Sequence, residues 1–97
     1  DLDWAALARV PTLVVLMGLR RLPQITARLL AHGADPDTPA AVIASGTLPE
    51  QRVVVGNLCT IAPLVLKAQL EPPATLVVGE VVKLSEWHAE PVLANAP

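Results

Sequence analysis

The hydrophobic positions fall into short apolar runs separated by amphipathic stretches, the pattern of strands alternating with helices. Thr12 to Met17 (TLVVLM) is apolar and β-branched without alternation, which predicts a strand covered on both faces and ended by Gly18. Upstream, Asp3 can cap a short helix over Trp4 to Arg9, because Pro11 pushes the residue before it out of helical geometry. From Arg21 to His32, Leu22, Ile25, Leu29 and Leu30 recur at helical spacing, with Gln24, Arg28 and His32 off the stripe. Pro23 suits the first turn of that helix and Gly33 a left-handed cap, and Arg28 and His32 complement the negative end of its dipole.

The segment ADPDTP can continue neither kind of element, and Ala40 to Ser45 supplies a second apolar strand. The turn Gly46-Thr47-Leu48-Pro49 leads to a third strand, Arg52 to Val55, close enough in sequence to form an antiparallel hairpin with the second. Ile61, Leu64, Val65 and Ala68 mark a second helix. Pro63 is tolerated there only in the first turn, which makes Thr60 the N-cap. After Pro72-Pro73, Thr75 to Val78 forms a fourth strand, which Gly79 interrupts as a bulge would before Val81 to Leu84 continue it. The order β-α-β-β-α-β implies an α/β (α+β) two-layer sandwich, with helices packed on one mixed sheet of four to five strands.

Ninety-seven residues, 53% of them hydrophobic, suffice for one compact core. The expected division is a folded lobe over 1–84 and a loosely held tail over 85–97, where HAEPVLANAP shows no periodicity. With Trp4 and Trp87 the only aromatics, the core must be Val, Leu, Ile and Ala, and little is left for stacking on bases. A net charge of -2 with scattered basic residues argues against a nucleic-acid partner. No apolar run is longer than that from Leu13 to Met17, far short of the roughly 18 residues a membrane span needs, so no membrane partner is expected. Cys59, the single cysteine, precludes an intrachain disulfide and is expected as a buried thiol in a reducing compartment. The chain opens at Asp1 without an initiator methionine or secretory leader, as an excised piece of a longer protein would.

No nucleophile-base grouping is visible, so no residue is assigned as catalytic. His32 and His88 stand alone, and Asp35 and Asp37 are turn residues with too few companions for a cation, so no metal is expected. Gly18 and Gly46 each follow an apolar strand, where ligands approach the carboxyl ends of strands in open sheets.

Three segments, TLVVLMG, ASGTLPEQRVVVGNL and PPATLVVGEVV, together with the lead-in LDWAALA, resemble the C-terminal half of the tetrapyrrole methylases at matching separations from Leu2 to Leu84. Within that family the likeness is greatest to the uroporphyrinogen-III C-methyltransferases. The resemblance implies the C-terminal lobe of a cytoplasmic, homodimeric enzyme that uses S-adenosylmethionine as methyl donor and makes precorrin-2 for sirohaem and cobalamin. It further implies an absent N-terminal lobe as partner, uroporphyrinogen III as substrate, and a donor held in the crevice between lobes. Met17, Gly46 and Ala74 match the family's donor-contacting positions. Small residues there make sense, since a nucleoside held by main-chain groups needs close approach.

Thr47, Gln51 and Arg52 also fit the family pattern, Arg52 being either an edge-strand charge or a partner for acidic groups of the substrate. Two positions depart from it: Leu16 stands where many relatives have Tyr, and Ala44-Ser45 where polar residues are common. The competing reading is a non-enzymatic, ferredoxin-like small-molecule-binding or dimerisation module, which shares the β-α-β-β-α-β order.

Overall fold

The structure, a computed structural model, describes residues 2–44 and 51–84. In chain order these form α1 (Trp4–Leu7), β1 (Thr12–Met17), a single 3-10 turn (Leu19–Arg21), α2 (Leu22–Ala31), β2 (Pro39–Ala44), β3 (Arg52–Asn57), α3 (Ile61–Ala68), β4 (Ala74–Gly79) and α4 (Val81–Leu84). The strands make one four-stranded sheet in the order β1-β4-β2-β3. The two-layer α/β architecture is as expected, but every neighbouring pair is antiparallel, where a mixed sheet would include parallel pairing. Strands joined by a helix still run in the same direction. β4 lies between β1 and β2, and β2 between β3 and β4, so the fold is two interlocked split β-α-β units.

Local signals account for the helix ends. The Asp3 carboxylate accepts a hydrogen bond from the Ala6 N–H at 3.0 Å and so starts α1. Pro23 occupies the first turn of α2, and Gly33 follows that helix with φ 101°. Thr60 stands at the N-cap position of α3 but does not cap it with its hydroxyl. Asn57 instead closes the turn ahead of the helix, its Oδ1 accepting from the Cys59 and Thr60 N–H groups at 2.9 Å each. Asp35 acts as the turn residue its sequence context suggests, accepting from the Asp37 N–H at 2.9 Å. Cys59 is exposed, not the buried thiol expected, because it lies in the turn ahead of α3 instead of on the apolar stripe.

The register settles which side chains share a face. Leu13, Val15 and Met17 of β1 line up with Val78, Leu76 and Ala74 of β4 and with Ala40, Val42 and Ala44 of β2. This face carries the main core, completed by Leu22, Ile25 and Leu29 of α2, by Ile61 and Val65 of α3, and by Leu58 and Leu70. Helix α3 packs close to β3: a Cβ on Gly56 would approach Thr60 Oγ1 to 2.8 Å and Leu64 Cδ1 to 2.9 Å. On the opposite face Val82 of α4 packs on Ala41 and Val77.

Two further sequence expectations are corrected. β1 is an edge strand with one exposed face, Val14 being 63% and Leu16 78% exposed; an unbroken apolar run does not reveal whether a second layer reaches that edge. Residues Val81 to Leu84 form a helix, not the continuation of a strand. Gly79 ends β4 with φ 133°, and the Lys83 N–H then bonds to the Glu80 carbonyl at 3.0 Å, closing the turn that becomes α4. The segment 85–97, read as a loose tail, lies outside the described residues. No described helix is long and apolar enough to cross a membrane.

Candidate ligand-binding site at one end of the sheet

One end of the sheet collects two of the three candidate donor contacts. Met17, the last residue of β1, is the ladder partner of Ala74, the first residue of β4. Ala74 in turn partners Ala44, the last residue of β2, and Ala44 partners Arg52, the first residue of β3. Met17, Ala74, Ala44 and Arg52 therefore form a single transverse row, although widely separated in sequence. Gly46, the third candidate, lies outside the described residues, as do Thr47 and the rest of 45–50.

This row is low and apolar: the Met17, Ala44 and Ala74 side chains are buried, and the two alanines present nothing larger than a methyl group. The neighbouring backbone is open. A Cβ placed on Gly18, immediately after Met17, would meet no heavy atom within 4 Å. Such an arrangement fits a flat ligand held by main-chain N–H and C=O groups, because small residues leave room for close approach to the strand ends.

Arg52 closes the row. Its Nη2 donates to the Ala68 carbonyl at 2.9 Å and its Nη1 to the Gln69 carbonyl at 3.3 Å, at the C-terminus of α3. The side chain thus turns onto the helix layer at the β3 edge, a placement the sequence reading did not include.

Beside this end lies an apolar groove of about 400 Å³ between the first turn of α2 and one side of α3. Leu19, Leu22, Pro23, Leu66 and Leu70 are among its lining residues. Sequence reasoning missed it, yet a signal existed: Leu66 falls off the apolar stripe of α3 and is 79% exposed.

No catalytic constellation accompanies the row among the described residues. Among the described residues no three His, Cys, Asp or Glu side chains converge in a way that could hold a metal ion. His32 is engaged locally, its Nδ1 donating to the Arg28 carbonyl at 2.8 Å. The described part of the arrangement can position a ligand.

Comparison with known proteins bears on the family. Residues 1–62 match the family model of the tetrapyrrole (corrin/porphyrin) methylases. The siroheme synthase of Thiobacillus denitrificans is 45% identical over 92 residues, covering 91% of this chain and 19% of the relative. That of Neisseria meningitidis serogroup B is 47% identical over 95 residues, covering 93% of this chain and 19% of the relative. The chain is therefore much shorter than the curated relatives it matches.

Among solved structures, a uroporphyrin-III C-methyl transferase from Thermus thermophilus, complexed with S-adenyl homocysteine, superposes with a TM-score of 0.72 at 39% identity. That match covers 87% of this chain and 37% of the other. A cobalt precorrin-4 methyltransferase shares the fold with the same TM-score at 16% identity. With residues 1–62 matching the family model, and with 39% identity to a solved uroporphyrin-III C-methyl transferase across 87% of its own residues, this chain belongs to the tetrapyrrole methylase family.

Proposed function

We propose that the chain is the C-terminal lobe of an S-adenosylmethionine-dependent uroporphyrinogen-III C-methyltransferase, contributing part of the donor site and inactive alone. The observation that carries this reading is the Met17-Ala74-Ala44 row beside the open backbone of Gly18, in a chain 39% identical to a methyltransferase complexed with S-adenyl homocysteine. The family match weighs against the ferredoxin-like module, whose only support was element order.

In this reading Met17 and Ala74, with Gly46 of the hairpin, hold the donor through main-chain contacts. The donor supplies a methyl group already activated by its sulfonium, so the protein's task is alignment. The row contributes by fixing three strand ends in one ladder, where hydrogen bonding removes the backbone freedom that would otherwise be lost on binding. An N-terminal lobe would bring the remaining donor and substrate contacts, and the product would be precorrin-2 for sirohaem and cobalamin. Homodimerisation and a cytoplasmic location belong to the same reading. Sedimentation of the complete protein tests the first, a stable monomer at micromolar concentration counting against it.

The decisive assay presents the complete protein with uroporphyrinogen III and labelled donor. Methyl transfer is expected, and its absence with active control enzyme refutes the assignment. The isolated lobe is expected to give no turnover. In the complete protein Gly46→Val should abolish donor binding in calorimetry while leaving the circular dichroism spectrum unchanged; wild-type donor affinity would remove Gly46 from the site.

A further inference from the structure

We propose that Arg52 is a positioning residue for the donor site, acting on Ala74 by clamping the end of α3. This inference rests on the reading of Met17 and Ala74 as donor contacts and extends it to a residue that contacts neither donor nor reacting atoms.

The last carbonyls of a helix lack partners within it. At α3 two consecutive ones, of Ala68 and Gln69, are met by the two terminal nitrogens of one guanidinium. Arginine suits this because its planar fork carries donors at fixed spacing and its charge complements the negative helix end. Gln69 is the residue held, and it adopts the left-handed conformation, with φ 54°. From Gln69 the chain runs through buried Leu70 and the Pro72-Pro73 pair directly into Ala74. Arg52 thus fixes the start of the connection whose end is the candidate donor contact.

The backbone of Arg52 reaches the same place by a second route. It partners Ala44, and Ala44 partners Ala74. Ala74 is the first residue of its strand, a position where ladders fray. It is held from one side through the ladder that begins at Arg52 and from the other through the connection that the Arg52 side chain clamps. Gln69 and Leu70 also form one wall of the apolar groove, so the clamp sets the groove's shape at this end. With its side chain turned onto the carbonyls of α3, Arg52 has a structural partner that the two sequence readings, edge charge or substrate partner, did not include.

The test uses the complete protein, with Arg52→Gln, Arg52→Lys and Ala74→Val compared by calorimetry with S-adenosylhomocysteine and by separate KM values for donor and tetrapyrrole. Arg52→Gln should weaken donor affinity about tenfold, and Arg52→Lys about threefold because a point charge meets one carbonyl well and not two. The tetrapyrrole KM should not move. Wild-type donor affinity in a folded Arg52→Gln protein overturns the inference, as does a rise confined to the tetrapyrrole KM, which would mark a substrate partner. Should Arg52→Gln fail to fold, Arg52→Lys decides: unchanged donor affinity overturns the proposal and a loss upholds it. If Ala74→Val leaves donor affinity intact, the donor-site reading fails and this inference with it. If Ala74→Val weakens binding and Arg52→Gln does not, only the role of Arg52 is lost.

Discussion

The backbone of Gly79 lies so close to Pro11 that a Cβ on Gly79 would collide with the Pro11 carbonyl oxygen. The contact joins the end of β4 to the start of β1, where Gly79 partners Thr12. Two independent penalties therefore meet at one position, a backbone clash and a φ of 133° that other residues rarely adopt. Gly79→Ala should destabilise the protein by about 3 kcal/mol or more, read as a fall in the urea midpoint. A midpoint within experimental error of wild type would show that β1 and β4 can part at this end without loss.

Gly18 predicts the opposite outcome. Its φ of -80° and ψ of 143° suit any residue, and the space where a Cβ would go is open. Gly18→Ala should be neutral or stabilising by about 0.4–1 kcal/mol, through reduced freedom of the unfolded chain. A marked loss in thermal melting would mean that Gly18 is packed against something.

The turn that leads into α3 rests on Asn57, whose Oδ1 also accepts from the Thr60 hydroxyl at 3.1 Å in addition to the two main-chain donors. Asn57→Ala should cost about 1–2 kcal/mol, and Asn57→Asp should retain most of the stability because a carboxylate oxygen can accept the same bonds. Denaturant curves of the two variants check this order, and equal losses would contradict it.

Leu16 and Leu29 are the same residue type in opposite settings, 78% and 1% exposed. Leu29→Ala should cost about 3 kcal/mol by leaving a cavity between α2 and the sheet. Leu16→Ala in the isolated lobe should change stability by no more than about 0.5 kcal/mol. Comparable losses at both positions, measured by urea titration, would reveal a layer over the outer face of β1.

Much of the fold was legible because its signals are local. The amphipathic stripe of α2, the proline in its first turn and the glycine after it act within a few residues, and the helix appears with nearly the expected bounds. The strands β1 to β4 appear where apolar β-branched runs predict them. The short helix α4 was not legible: Val81 to Leu84 has the composition of a strand, and only the conformation of Gly79 against Pro11 diverts the chain. The side-chain role of Arg52 was equally hidden, since Ala68 and Gln69 become its neighbours only when α3 folds back over β3.

By itself the sequence determined where most chain segments become helix or strand and the family to which its spaced segments point. Those properties follow from periodicity and residue type, which act at short range. Only the tertiary structure decided that β4 inserts between β1 and β2, that β1 keeps one face bare, and that Met17, Ala74, Ala44 and Arg52 share one row. Strand order and register arise from packing and hydrogen bonding between segments far apart in the chain, and no local pattern encodes which edge will find which partner.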